Sequence, residues 1–282
     1  MKTTYDYRPA LFFVMAYAVT WIIWFLGVYV GSQPGYESYA GLFSLIGLVG
    51  PIGTTLFLVL TSRCAALKRD FKDRIFNLRR VQPIYALIAV LGPFTVICFS
   101  IVLSLWFGQS SDQFRFSEGA NLFPLIILAL LLAPICEETG WHGYGVDSLR
   151  AKAGMIKATL LFAALWCGWH VPLVLIAGTY QHQVAMMDNK IFIVNFFVSI
   201  IPAAIIANWF YYKNDRSVAA SVLLHSMLNA ASVLLNAGQV AKCIATLLYS
   251  GIAVGLIVGD RRLFAKGPRN FLCARSAGFA EA

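Results

Sequence analysis

The chain has 282 residues, 59% of them hydrophobic and only 12% charged, with a mean hydropathy of +0.72. A soluble globular chain carries about a quarter charged residues, so too few polar groups remain here to cover a water-facing surface, and lipid must be the solvent for much of the chain. The formal charge of +9 fits basic loops facing anionic lipid, and no nucleic-acid partner is expected.

The polar N-terminus, Met1 to Pro9, precedes an apolar run too long for a signal-peptide core, so it reads as a retained first span. About 20 apolar residues cross a bilayer as a helix, and eight stretches qualify: 10–30, 40–61, 84–107, 122–144, 158–178, 191–212, 217–236 and 240–259. Hydrophobicity is continuous rather than alternating, which selects helices over a barrel. Between the second and third stretches, Phe71, Arg74, Ile75, Leu78 and Val81 stand near helical spacing, as in an amphipathic helix lying on the membrane face; a solvated basic loop is the other reading. The expected fold is all-α: a polytopic membrane protein of about eight transmembrane helices, one membrane-embedded domain over 1–282 with a flexible basic tail from about 260.

Sidedness follows from the cations. With the N-terminus inside, 19 of the 22 Lys and Arg fall on the cytoplasmic side, leaving Arg115, Lys190 and Lys242 outside. That asymmetry places both termini in the cytoplasm and supports an even number of spans. The expected location is a prokaryotic plasma membrane. Six scattered cysteines without a CxxC pair give no disulfide framework.

Glu137 and Glu138 stand inside the fourth stretch, His142 follows them, and His170 and His225 lie in the fifth and seventh. Ionisable groups in hydrocarbon cost several kcal/mol, so they mark a functional site by default. At about 1.5 Å per residue, His170 lies roughly 18 Å inward from the cytoplasmic start of its span, His225 about 12 Å, Asn229 about 18 Å, and Glu137 roughly 22 Å down from the other side. All fall in the cytoplasmic half of a core about 30 Å thick. His225 and Asn229 share a helix face, as do Glu138 and His142, while Glu137 is turned about 100° from Glu138. The two carboxylates therefore have different tasks, one facing a cavity and one holding the helix through His142.

These residue types permit water activation: a glutamate base, a histidine that positions the water, and a second histidine with an asparagine amide as oxyanion donors. Glu137, His170 and His225 could instead bind a divalent metal such as Zn²⁺ with a position left for water, although no HExxH motif is present. Cys136 and Cys167 are conceivable nucleophiles, but small buried cysteines are common. A non-catalytic membrane protein, an immunity factor or a proton-coupled transporter, would use the same polar groups.

Three segments carry a family resemblance. Glu137-Glu138-Thr-Gly-Trp141-His142-Gly-Tyr144 resembles the first motif of the CPBP family, the CAAX prenyl protease and bacteriocin-processing intramembrane peptidases. Phe162 with Leu-Trp-Cys-Gly-Trp-His170-Val-Pro-Leu173 resembles the second motif, and His225-Ser-Met-Leu-Asn229 the third. The resemblance spans residues 137–229 and implies an α-helical intramembrane endopeptidase whose cavity opens to the cytoplasm. It implies Glu137 as the water-activating base, His170 as its partner, His225 and Asn229 at the oxyanion, and Glu138 as a supporting carboxylate. Metal is left open by it, and its substrates are membrane-associated peptides or protein tails; many members are tied to bacteriocin immunity instead. One position departs from the motif: His142 stands where the family carries arginine, a permanent cation where histidine is a conditional one.

Overall fold

The computed structural model describes residues 5–116 and 123–269, with side chains omitted over 123–129. Helices follow in the order α1 (Pro9–Gly31), α2 (Ala40–Ile46), α3 (Val49–Leu60), α4 (Ala65–Phe76), α5 (Pro83–Leu105), α6 (Phe123–Gly140), α7 (Val146–Arg150), α8 (Met155–Trp169), α9 (Tyr180–Met186), α10 (Ile191–Lys213), α11 (Val218–Leu234), α12 (Gln239–Gly259) and α13 (Arg261–Phe264). Among the described residues the only β pairing is an isolated bridge between Phe116 and Leu235. The fold is all-α and polytopic. Among the described residues six segments are long and apolar enough to cross a membrane: Pro9–Gly31, Glu37–Leu60, Pro83–Leu105, Met155–Leu175, Ile191–Lys213 and Gln239–Gly259; Val218–Leu234 is a shorter apolar helix. Val14, Ile22, Ile84, Leu91, Leu247 and Val254 are exposed on these helices, far more apolar surface than water tolerates and what a lipid contact requires.

The structure refines several sequence boundaries. The 40–61 stretch breaks into α2 and α3 around Gly47, where a side chain would run into the indole of Trp24. The amphipathic helix begins at Ala65 and ends at Phe76 rather than covering 71–81, and it buries Leu67, Phe71 and Arg74. Leu78 lies beyond it and is exposed, because the chain tightens there into a 3₁₀ turn over Leu78–Arg80. The fifth span starts at Met155, and its α-helix ends at Trp169, giving way to a 3₁₀ turn over Val171–Leu175 set by Pro172. The tail is held over its first ten residues: Asp260 caps α13, and the backbone around 266–269 hydrogen-bonds to Met155 and Arg150.

The element that positions the site is the turn after α6. Over Trp141–Gly145 the helix widens into a π-turn before continuing as α7. Gly140 permits this junction to pack, since a Cβ there would meet the Pro51 backbone of α3 at 2.7 Å. A π-turn re-aims carbonyls away from the regular ladder, and those of His142 and Gly143 accept from the Arg74 guanidinium at 3.0 Å each. The same guanidinium donates to Asp147 (3.1 Å), Tyr211 (2.8 Å) and Asp70 (2.9 Å), with no exposed side-chain surface. Arg216 closes the cluster with bonds of 3.0 Å to Asp70 and Asp147; its backbone sits in the left-handed region (φ 63°), a conformation a non-glycine residue adopts only when its surroundings hold it there. Further pairs, Lys152–Asp6, Arg80–Asp215 and Lys213–Asp260, tie the remaining basic segments to the same end of the bundle.

Burial by itself would push the Asp147 carboxyl upward, but the guanidiniums of Arg216 and Arg74 outweigh it and hold the group below the ordinary aspartate range. A folded-state value below the unfolded one, about 3.9, stabilises the fold above that pH and is lost as pH falls through the folded value. Thermal unfolding of the purified protein in detergent should therefore show midpoints that fall on acidification below about pH 4. Asp147→Asn removes the fully buried carboxylate shared by the two guanidiniums and leaves them Asp70; it should cost about 3–5 kcal/mol at neutral pH, with a flatter acid dependence than the wild type. An Asp147→Asn midpoint equal to that of wild type at pH 7 would refute the role given to this cluster.

Candidate active site

Each glutamate of the pair has its own partners. Glu137, 5% exposed, accepts at one oxygen, Oε2, from two indoles: Trp166 Nε1 of α8 at 3.0 Å and Trp141 Nε1 of the π-turn at 3.3 Å. Glu138, 1% exposed, bridges two imidazoles. Its Oε2 is in very short contact with His142 Nδ1, and its Oε1 is 2.8 Å from His225 Nδ1 on α11. The separation follows from helical phase, since neighbouring positions on a helix diverge by about 100°.

His142 is held at both ends. Its Nε2 is 3.0 Å from Asn208 Oδ1 on α10, and Asn208 Nδ2 donates at 3.0 Å to Thr159 Oγ1 on α8. Asn208 and Thr159 are essentially without exposure, so four helical segments are joined through one buried polar chain. The ring also lies 4.7 Å, centroid to centroid, from that of Tyr211, which binds Arg74. The site and the Arg74 cluster are thus in direct contact.

His170 caps the end of α8. Its Nδ1 donates to the Trp166 carbonyl at 2.7 Å, which in the neutral ring leaves the Nε2 lone pair for a water or an ion. Its ring centroid is 5.9 Å from that of Trp166, and the His225 ring is 5.5 Å from the same indole. Trp166 therefore touches Glu137, His170 and His225 together. Asn229, one turn after His225 on α11, is half-buried; no hydrogen bond ties it to the other four.

His170 and His225 each turn Nδ1 to an oxygen, the Trp166 carbonyl and the Glu138 carboxylate, an arrangement that suits a water-positioning pair as well as metal ligands with an outer shell. Among the described residues, however, no three His, Cys, Asp or Glu side chains gather closely enough to hold a metal ion. Glu137 Oε2 is already committed to two indole donors. Cys136 and Cys167 are half-buried, and Cys167 Sγ is 3.8 Å from the Phe197 carbonyl; neither sulfur is hydrogen-bonded to a histidine.

A family model described as type II CAAX prenyl endopeptidase Rce1-like matches residues 119–231, the stretch that carries every group above except Arg74. A curated protein named CAAX prenyl protease 2, from Methanococcus maripaludis, is 35% identical over 269 residues, covering 94% of this chain and 98% of that protein. The chain belongs to the CPBP family. This member is accordingly a multi-pass integral membrane endopeptidase.

Some of the site was invisible to motif reading. Asn208 is the one amide amid the apolar run Ile200–Phe210, a polar group in a span that could have been flagged on the same grounds as the glutamates. Trp166 was within a quoted motif, yet spacing gives no sign that its N–H reaches a different helix. Arg74 is one of the 19 cytoplasmic-side cations, and a positional count cannot tell a buried cation from a solvated one.

Asn208→Leu is expected to remove the far anchor of His142 while nearly conserving volume. Cleavage by the variant should fall about 10–100-fold, the usual cost of losing an orienting partner behind a functional imidazole, with the unfolding midpoint lowered by the equivalent of about 1–3 kcal/mol for the unpaired ring nitrogen. Wild-type activity in Asn208→Leu would mean that His142 needs no such anchor.

Proposed function

We propose that the protein hydrolyses a peptide bond in the C-terminal tail of a prenylated or otherwise membrane-anchored protein, reached from the cytoplasmic half of the bilayer, by glutamate-activated water. The substrate class comes from the name of the methanogen relative, and the side from the 19-to-3 asymmetry of Lys and Arg. The observation that carries the mechanism is the meeting of Glu137, His170 and His225 around the Trp166 side chain.

In this scheme a water lies between Glu137 Oε1 and His170 Nε2. With each of its hydrogens on an acceptor, its lone pair is aimed at the scissile carbonyl. As the C–O bond forms, Glu137 takes one proton and the carbonyl oxygen becomes an oxyanion. His225 Nε2, when protonated and backed by Glu138, and the Asn229 amide donate to that oxyanion. Collapse of the tetrahedral intermediate breaks the C–N bond, and Glu137 returns its proton to the leaving amine. Glu138 serves as the fixed carboxylate that holds His225 and His142 in register. The whole of 1–282 acts as one membrane-embedded unit in the plasma membrane. The candidate ligands Glu137, His170 and His225 would have to draw closer to hold a divalent ion, which would then supply Lewis-acid chemistry.

The test is cleavage of a prenylated CAAX-type peptide by protein purified in detergent or liposomes. Glu137→Ala and His170→Ala should each lower kcat by about 10²–10⁴-fold, and Asn229→Ala by about 10²–10³-fold, with unchanged unfolding midpoints. Elemental analysis of the active preparation, with chelator and Zn²⁺ add-back, decides between the water and metal schemes. Undiminished cleavage by Glu137→Ala would overturn the proposal, as would substrate transport into liposomes without any hydrolysis.

A further inference from the structure

We propose that Trp166, assisted by Trp141, is a positioning residue of the catalytic base: its indole N–H pins one oxygen of Glu137 so that the other is presented to the water. The inference rests on Glu137 being the base, as proposed above.

Glu137 sits in an apolar helix and is nearly inaccessible, and no Lys or Arg forms an ion pair with it among the described residues. An ionised carboxylate so placed needs hydrogen-bond donors in place of its water shell. Both donors that it receives are indoles, and both converge on Oε2. Indole Nε1–H is a donor only, so neither tryptophan competes for the proton that the base must take up. A lysine or histidine in the same place would. One donor comes from four residues along the same chain, across the start of the π-turn; the other comes from α8. Together they fix the carboxylate plane from two directions.

Trp166 also sets the neighbouring imidazoles. Its own carbonyl receives His170 Nδ1, and its ring lies edge-on to His225 at 81° and stacks on Phe162 at 14°. The side chain is 7% exposed, so its rotamer is set by packing before any substrate arrives. The indole N–H of Trp169, three residues on and fully buried, meets no acceptor among the described residues. Aromatic crowding in this region therefore does not by itself supply an indole with a partner; Trp141 and Trp166 are matched to Glu137.

The decisive variant replaces Trp166 with 3-benzothienylalanine by codon suppression, which keeps the ring shape and loses only the N–H. The kcat for the prenylated peptide should fall about ten- to hundred-fold, the loss of one hydrogen bond to a charged group, with KM within about two-fold and the unfolding midpoint near wild type. The same replacement at Trp209, which bonds Asp260 outside the site, should leave kcat unchanged. Trp166→Phe, which also shrinks the ring, should do no better than the isostere. If packing were the whole role, the isostere would restore full kcat, and that result would overturn the inference. Infrared difference spectra against Glu137→Gln supply a readout without substrate: the carboxylate antisymmetric stretch should move in the Trp166 isostere, and an unmoved band would also overturn it. Glu137→Gln run alongside separates the two claims. Full cleavage by Glu137→Gln removes the base assignment; a dead Glu137→Gln with a fully active isostere removes only the role of Trp166.

Discussion

Arg74 holds the turn on which the site is built. A π-turn leaves carbonyls without helical partners, and unsatisfied carbonyls near hydrocarbon cost free energy comparable to a lost hydrogen bond. The guanidinium answers two of them, at His142 and Gly143, while pairing with Asp147 just beyond the turn. Its planar fork suits this task, since separate N–H groups aim at separate acceptors in fixed directions. The consequence reaches the chemistry: the residues whose carbonyls Arg74 grips lie one turn after Glu137 and Glu138, and Trp141 and His142 in that turn are the partners of those two carboxylates. The i,i+4 spacing alone brings Trp141 to Glu137 and His142 to Glu138; the turn adds the two carbonyls by which Arg74 holds that segment in place.

The pair of glutamates shows how one dipeptide yields two electrostatic environments. Glu137 receives neutral donors that cannot exchange protons with it, whereas Glu138 receives imidazoles that can. Environments that differ in this way are how adjacent carboxylates come to serve as base and support. The division is enforced by helical phase on one side and by four separate helical segments on the other, which explains why the polar core is assembled from so many elements of the chain.

Much of this was legible in the sequence. The apolar runs located every long helix, because lipid imposes a length and a composition on each span. Glu137, Glu138, His142, His170 and His225 stood out because charge in hydrocarbon is costly, and the i,i+4 relation of Glu138 to His142 anticipated their contact. What was hidden were relations between helices. No periodicity in α8 reports that Trp166 faces α6, and no count of cations separates Arg74, fully buried, from Lys72, exposed two residues away. The amphipathic pattern did place Arg74 with Phe71 on one face, yet a cation on the apolar face reads as noise until the π-turn carbonyls supply its reason. The break between α2 and α3 was likewise invisible, since a glycine in a span is common and only Trp24 makes it necessary.

His142 is where sequence and structure bear on each other most. In the family motif this position is arginine, whose several donors could satisfy Glu138 and a second acceptor at once without any change of charge. The imidazole found here has two nitrogens, and the fold gives each a partner, Glu138 on one side and Asn208 on the other. Asn208 is itself fixed through Thr159, so the smaller side chain is compensated by an amide reaching in from α10. His142 thus bridges Glu138 to α10 with a conditional cation where arginine would be a permanent one. His225 shares that carboxylate through its other oxygen, so one residue, Glu138, ties the π-turn to α11.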